Sequence, residues 1–212
     1  APRRSGNRGS ERACSSHEQQ AQATEAFFQR WMAERWESDM KIGPQDCQDL
    51  ARVLSLEWLE QNGRGGFASG TVSGAHTRRY HALLLTARKP PSERFVLVNH
   101  LEEWLAIDAH VIPLSTNLYP GAVHPAGYEN CVEFSIDPWP IWTFACNGMR
   151  LQREILLIQG RDLVIVRWTL LGRKNQRALL RVRPKLTGRD YHGTHHENES
   201  LSTEASIGDG LV

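Results

Sequence analysis

No apolar run in this sequence approaches the ~20 residues that a bilayer-spanning helix requires. The N-terminus carries basic residues with no apolar segment behind them, which excludes a secretory signal of the usual form. Charge of one sign is also lacking: 25 Lys and Arg stand against 24 Asp and Glu, a net charge of +1. A nucleic-acid binder would show a basic stripe, so that class is set aside. Cysteine is scarce, and Cys14, Cys47, Cys131 and Cys146 form no C-x-x-C pair. That spacing excludes a disulfide framework and a zinc site, and it points to free thiols in a reducing compartment, the cytoplasm. The Asn198-Glu199-Ser200 sequon is then a chance match. There is no internal repeat.

What is present is ordinary globular material, 40% apolar and 23% charged over 212 residues, enough for one good core. Residues 1–16 are rich in Arg, Ser and Gly without periodicity and read as a disordered lead. From residue 17 to 40 the apolar positions Phe27, Phe28, Trp31, Met32, Trp36 and Met40 recur at steps of one to four, marking one face of an amphipathic helix. Gly43-Pro44 ends that pattern, and Pro44 suits the first turn of a second short helix over about Gln45–Leu54. Residues 17–54 are thus expected to be helical and 55–212 to form a β domain.

After Ser55 short β-type runs follow one another. Thr77–Ala87 is polar at its start and apolar on both faces from Ala82. A strand of that kind enters a core from an exposed rim, leaving Arg78, Tyr80 and His81 at a sheet end. Phe95–Val98, Arg153–Ile158 and Leu163–Leu171 are further runs, the last with Val164, Val166, Trp168 and Leu170 on one face. Ala178–Pro184 alternates, with Leu180 and Val182 inward and Arg181 and Arg183 outward. Asn147-Gly148 and Gln159-Gly160 read as corners. Strands following strands without intervening helices predict an antiparallel β-sandwich, supersandwich-like, preceded by one or two helices.

The densest signal is the segment Glu57–Leu85, in which Gly63, Gly65, Gly66, Gly70 and Gly74 precede Arg78-Arg79-Tyr80-His81. Glycine at that density marks tight turns and close backbone approaches. It is not a phosphate cradle, because neither the P-loop Lys-Ser/Thr nor a helix pattern follows. Glycoside hydrolysis needs two carboxylates across the scissile bond. Glu57, Glu102, Glu103, Glu133, Asp137 and Asp190 are available, yet no pair stands out. Glu102 and Glu103, being adjacent, would face opposite sides of a strand. Arg189-Asp190-Tyr191-His192, with His195 and His196 beyond, has no metal-ligand spacing and suits a hydroxylated ligand or a plain surface loop. Trp139 and Trp142, beside Pro138 and Pro140, fit a core edge better than a sugar platform.

These residues carry a family resemblance. Glu57-Trp58-Leu59, Asn62-Gly63, Gly65 to Thr71, Ser73-Gly74 and Thr77 to His81 are similar to the N-terminal domain of bacterial and archaeal glycogen debranching enzymes, the amylo-α-1,6-glucosidases. The likeness continues through Pro90-Pro91, Arg94, Leu114 to Asn117, Pro125 to Tyr128, Phe134, Asp137-Pro138, Pro140, Trp142 and Arg183-Pro184 to Arg189 through His192. It departs at Ala82, where the family usually has glycine. The resemblance implies a β-sandwich preceding a helical (α/α)-barrel of the same polypeptide, which supplies the acid and base that hydrolyse α-1,6 branch points. No catalytic residue, cofactor or metal is expected in this chain. Residues 201–212 hold no terminating signal, so the chain is expected to be part of something longer. Candidate α-glucan contacts carried over by position are Asn62, Arg78, Arg79, Tyr80, His81, Arg189, Asp190, Tyr191 and His192. A stand-alone α-glucan-binding module and a purely structural domain are the alternatives.

Overall fold

A computed structural model describes residues 41–172 and 177–194, with Ser202 and Glu204. The lead at 1–16, the helix expected over 17–40, Cys14, His195, His196 and the sequon lie outside the described residues. The described chain opens on β1 (Lys41–Ile42), followed by two short helices, α1 (Pro44–Cys47) and α2 (Leu50–Ser55), where one helix was expected. Pro44 does sit in the first turn of α1. The break comes from Asp49, whose carboxylate accepts from the Arg52 amide at 3.1 Å and starts α2 afresh as its N-cap.

Everything that follows is β. The strands are β2 (Glu57–Gln61), β3 (Phe67–Thr71), β4 (Ala82–Lys89), β5 (Ser92–Ile107), β6 (His110–Pro113), β7 (Thr116–Tyr119) and β8 (Ala122–Ala126). After a 3₁₀ turn at Gly127–Asn130 come β9 (Cys131–Ser135), β10 (Ile141–Cys146), β11 (Met149–Leu157), β12 (Val164–Leu171) and β13 (Ala178–Asp190). They form one sheet in the order β1-β9-β10-β11-β12 and another in the order β13-β5-β4-β3-β2, with β6 on β5 and β7-β8 as a separate ribbon. Neighbours pair antiparallel throughout. The expected antiparallel sandwich is therefore the fold.

One apolar core lies between the sheets. Trp58, Ala68, Leu83, Leu105 and Ile107 from one sheet meet Phe134, Trp142, Phe144, Leu151 and Ile155 from the other. Two indoles join there edge to face at 5.4 Å, Trp58 against Trp142, and each N–H finds a backbone oxygen, of Thr71 at 3.2 Å and of Val72 at 2.7 Å. Trp139 is buried as well and donates to Glu154 at 3.1 Å, so both proline-flanked indoles belong to the core. Among the described residues, an ion pair runs across this apolar layer. Arg153 on β11 meets Glu103 on β5 at 2.6 Å, the Trp168 indole donates to the other carboxylate oxygen at 2.6 Å, and the guanidinium lies 4.1 Å over Trp142.

Several boundaries differ from the sequence pattern. The strand expected from Thr77 begins at Ala82, because residues 72–81 form a loop whose polar groups bond one another. Ala82 itself is fully buried with Leu85 and Val96. Val182 is 37% exposed, not inward, since β13 is the edge of its sheet; Leu170 is likewise 39% exposed near the end of β12. Asn147-Gly148 is a two-residue corner, both residues at positive φ, 47° and 79°, as a type I′ hairpin needs. Cys47, Cys131 and Cys146 are free thiols.

Removing one member of the Glu103–Arg153 pair leaves the other charge buried without its partner. Arg153→Met is expected to cost ~3–5 kcal/mol in urea unfolding, and the double replacement with Glu103→Leu to recover part of that loss. A double variant no more stable than Arg153→Met would show that the pair is not the source of the penalty.

Candidate functional site

The glycine-rich segment resolves into two parts with different work. Its first part, the turn between β2 and β3, is built on Asn62. That side chain is buried; its oxygen accepts from the amides of Arg64 at 2.8 Å and Gly66 at 2.9 Å, and its nitrogen donates to the Arg161 carbonyl at 3.1 Å and to Asp162 at 2.8 Å. Gly65 has φ +90°, and a Cβ there would stand 2.8 Å from the Pro91 backbone, so only glycine fits. Arg94 closes the turn by donating to the Gly65 carbonyl at 2.9 Å. Asn62 thus braces the turn, apart from the other eight candidate residues.

The second part, residues 77–81, meets residues 189–193 at the entry to β4. Arg79 donates to the His192 carbonyl at 3.1 Å, and the Tyr80 hydroxyl lies 3.3 Å from Nδ1 of His192. Tyr80 and Tyr191 stand 5.5 Å apart between ring centres, Tyr191 and His192 3.8 Å, and Arg79 covers the Tyr80 ring at 5.3 Å. Arg189 is largely spent on backbone: its guanidinium donates to the carbonyls of Arg79, Asp190, Tyr191 and Gly193. Burial lowers its pKa, opposed by Asp190. The Asp190 carboxylate accepts from the His192 amide at 2.8 Å, an Asx turn that shapes the loop.

Arg78 turns the other way, toward Glu57 of β2, which also lies 3.4 Å from Nε2 of His81. His81 is buried and its Nδ1 accepts from the Thr77 amide at 3.2 Å, so both ring nitrogens are engaged. Arg79, Asp190 and His192 are exposed and Tyr80 and Tyr191 half-buried beside them, Tyr191 packing on the Ala82–Leu85–Val96 cluster, whereas Arg78, His81 and Arg189 hold the loop that presents this group. Together they can offer hydrogen bonds and tilted aromatic faces to a polyhydroxylated ligand.

Beside this group lies a feature the sequence did not single out. The His76 ring sits 5.6 Å from His81 and 5.4 Å from His100. Beyond it opens a pocket of about 350 Å³, whose walls include Asn99, His100, Glu102, Asn117, Tyr119 and Lys185. One signal pointed there: Asn99-His100 interrupts an otherwise apolar stretch between Phe95 and Leu101. Among the described residues, no group of three or more side chains is arranged to hold a metal ion. No helix among them is long and apolar enough to cross a membrane.

Glu102, Glu103 and Glu154 are each committed to a cation. Glu102 and Glu103 do face opposite ways: Glu103 inward to Arg153, Glu102 to Arg183, Lys185 and Asn117, each at 3.3–3.5 Å. Glu154 is held in two bonds by Arg167, at 2.6 and 2.7 Å, and its pKa is lowered chiefly by that contact.

Over residues 56–211 the chain matches the family described as the N-terminal domain of glycogen debranching enzymes, and it belongs to that family. No curated protein and no solved structure matches it.

Burial holds His76 far below the ordinary histidine range, at about 3; His100, His81 and Arg189 add repulsion, and a hydrogen bond from the ring to Asn99 opposes them. Burial also lowers His81 and His100. An unfolded chain protonates His76 near pH 6.5, whereas the folded chain resists until about 3. Stability is therefore fully present above about pH 6.5 and is lost as pH falls through that window. Thermal melts should show the midpoint dropping from pH 6.5 downward, and His76→Gln should flatten the slope. An unchanged slope in that variant would overturn the assignment.

Proposed function

We propose that this chain is the non-catalytic N-terminal domain of an enzyme that hydrolyses the α-1,6-glucosidic branch points of a glycogen-like α-glucan, and that it lines part of the glucan cleft. The observation that carries this reading is the meeting of two polar segments more than a hundred residues apart, 77–81 and 189–193. They bring exposed Arg79, Asp190 and His192 together with half-buried Tyr80 and Tyr191. Hydrolysis of a glycoside asks for two carboxylates flanking the bond, one of them free to give a proton. Glu102, Glu103 and Glu154 are each tied to a guanidinium or ammonium group and do not suit that work. An (α/α)-barrel of the same polypeptide supplies the acid and base, and the reaction takes place in the cytoplasm. No cofactor is called for, since acid and base suffice.

One observation favours a second, purely structural reading. Four of the bonds of Arg189 go to backbone carbonyls, which is what a loop brace does. The two readings part in a single experiment on the chain, titrated calorimetrically with maltohexaose at millimolar concentration and melted in parallel. Arg79→Ala is expected to weaken binding about tenfold with an unchanged thermal midpoint, as loss of a charged hydrogen-bond donor does. Arg189→Ala is expected to lower the midpoint by several degrees. Binding untouched by Arg79→Ala, with a lowered midpoint, would favour the structural reading. Glucose released from a branched glucan by the chain alone would overturn the non-catalytic assignment.

A further inference from the structure

The β5 strand changes its facing partway along. Val98 packs into the core between the sheets, and Val96, two residues before it, is buried in the small cluster with Ala82 and Leu85. Further along, Leu101, Glu103, Leu105 and Ile107 are the inward residues. Even positions give way to odd ones, which a regular strand cannot do. The register against β13 shows where: Lys185 pairs with His100 and Leu186 with Val98, so Asn99 has no partner. It is the extra residue of a β-bulge, a device that re-aims side chains and recurs beside functional sites. The bulge places Asn99 and His100 together, 3.2 Å apart between Nδ2 and Nδ1, on the pocket beside His76.

Three other chain segments complete that pocket: the loop after β3, the ribbon strand β7 and the edge strand β13. Its volume of about 350 Å³ falls at the lower end of the ~300–1,000 Å³ typical of small-molecule sites. The charged groups on its wall, Glu102 and Lys185, pair with each other at 3.3 Å. Two amides, of Asn99 and Asn117, offer donors and acceptors side by side. His100 keeps Nε2 without a hydrogen-bond partner among the described residues. One wall is the aromatic ring of Tyr119, 55% exposed. Balanced charge excludes preference for an ion, and mixed amide, carboxylate and imidazole groups around an exposed ring suit a neutral ring compound bearing many hydroxyls.

We infer that this pocket is a glucosyl-binding subsite, with Tyr119 as the stacking platform and Asn99, Asn117, Glu102 and Lys185 as partners of the sugar hydroxyls. The inference rests on the α-glucan reading for the choice of sugar, but the site is separate from the Arg79–His192 group and shares none of its residues. His76 lies on the pocket wall, its ring 5.6 Å from the buried His81 at the end of the 77–81 segment.

Tyr119 is exposed and Asn117 makes one weak bond, so their variants leave the fold intact. The test is calorimetric titration of the chain with maltohexaose, with cellohexaose as the control for linkage. Tyr119→Ala and Asn117→Ala are each expected to weaken maltohexaose binding about tenfold, with thermal midpoints unchanged and with Tyr119→Trp restoring the affinity. Wild-type affinity in Tyr119→Ala, alongside weakened binding in Arg79→Ala, would overturn this subsite and leave the α-glucan reading standing. Equal affinity for cellohexaose would overturn the assignment to an α-linked chain. Absence of heat from the wild-type chain at millimolar maltohexaose would overturn both the subsite and the reading on which it rests.

Discussion

A cross-sheet ion pair between Glu103 and Arg153 organises this sandwich. Glu103 and Arg153 come from different sheets, and each is buried where apolar side chains would ordinarily meet. Taking two charges out of water is costly, and directed contacts offset that cost on the carboxylate side, while Nε of Arg153 is buried without a hydrogen-bond partner among the described residues. The Trp168 indole saturates the second oxygen of Glu103, Ser115 Oγ accepts from its backbone amide at 3.0 Å, and the Trp142 face lies under the guanidinium. Such contacts fix the position of one sheet on the other far more narrowly than shape matching of Leu and Ile would. The register of β5 in particular is set there, and through it the placement of everything β5 carries.

What β5 carries is the polar side of the molecule. Glu103 faces inward to its arginine, Glu102 outward to Lys185 and Arg183, and the bulge at Asn99 lies just before them. A strand of sixteen residues gives both the anchor and the pocket, so core packing and surface chemistry are mechanically one unit. The histidine row continues that link. His100 leads to His76 and His76 to His81, all of them kept toward the neutral form by burial. Neutral rings can pack at these distances without repelling one another.

Much of this was legible from residue order alone. Alternation marks the β texture, Asn147-Gly148 marks its hairpin, and the polar clusters at 78–81 and 189–192 stand out in the sequence, though not the contact between them. What could not be read were effects that live between strands. Asn62 looks like a surface polar residue in a glycine turn, yet four bonds consume its amide. His81 looks like part of an exposed basic run, but the loop folds its ring under Thr77. Val182 fits an inward pattern and stands exposed, because alternation does not say which strand ends a sheet. A bulge leaves no mark in a pattern of apolar and polar residues except a change of parity. In β5 that change is masked by the polar pair that the bulge exists to present.

The brace at Asn62 has a consequence for how such a domain can vary in length. The turn at 62–66 is stitched to the loop after β11: the Gly160 amide donates to the Asn62 carbonyl at 2.8 Å, and the Gln159 side chain to the Gln61 carbonyl at 2.6 Å. Two connections from different sheets have become one joint, and neither can gain or lose a residue without breaking the other. Insertions should instead collect at a corner such as Pro120-Gly121, which joins the neighbouring strands β7 and β8. The lengths of the two joined loops are then tied to each other, whereas the corner between β7 and β8 can lengthen without disturbing the joint.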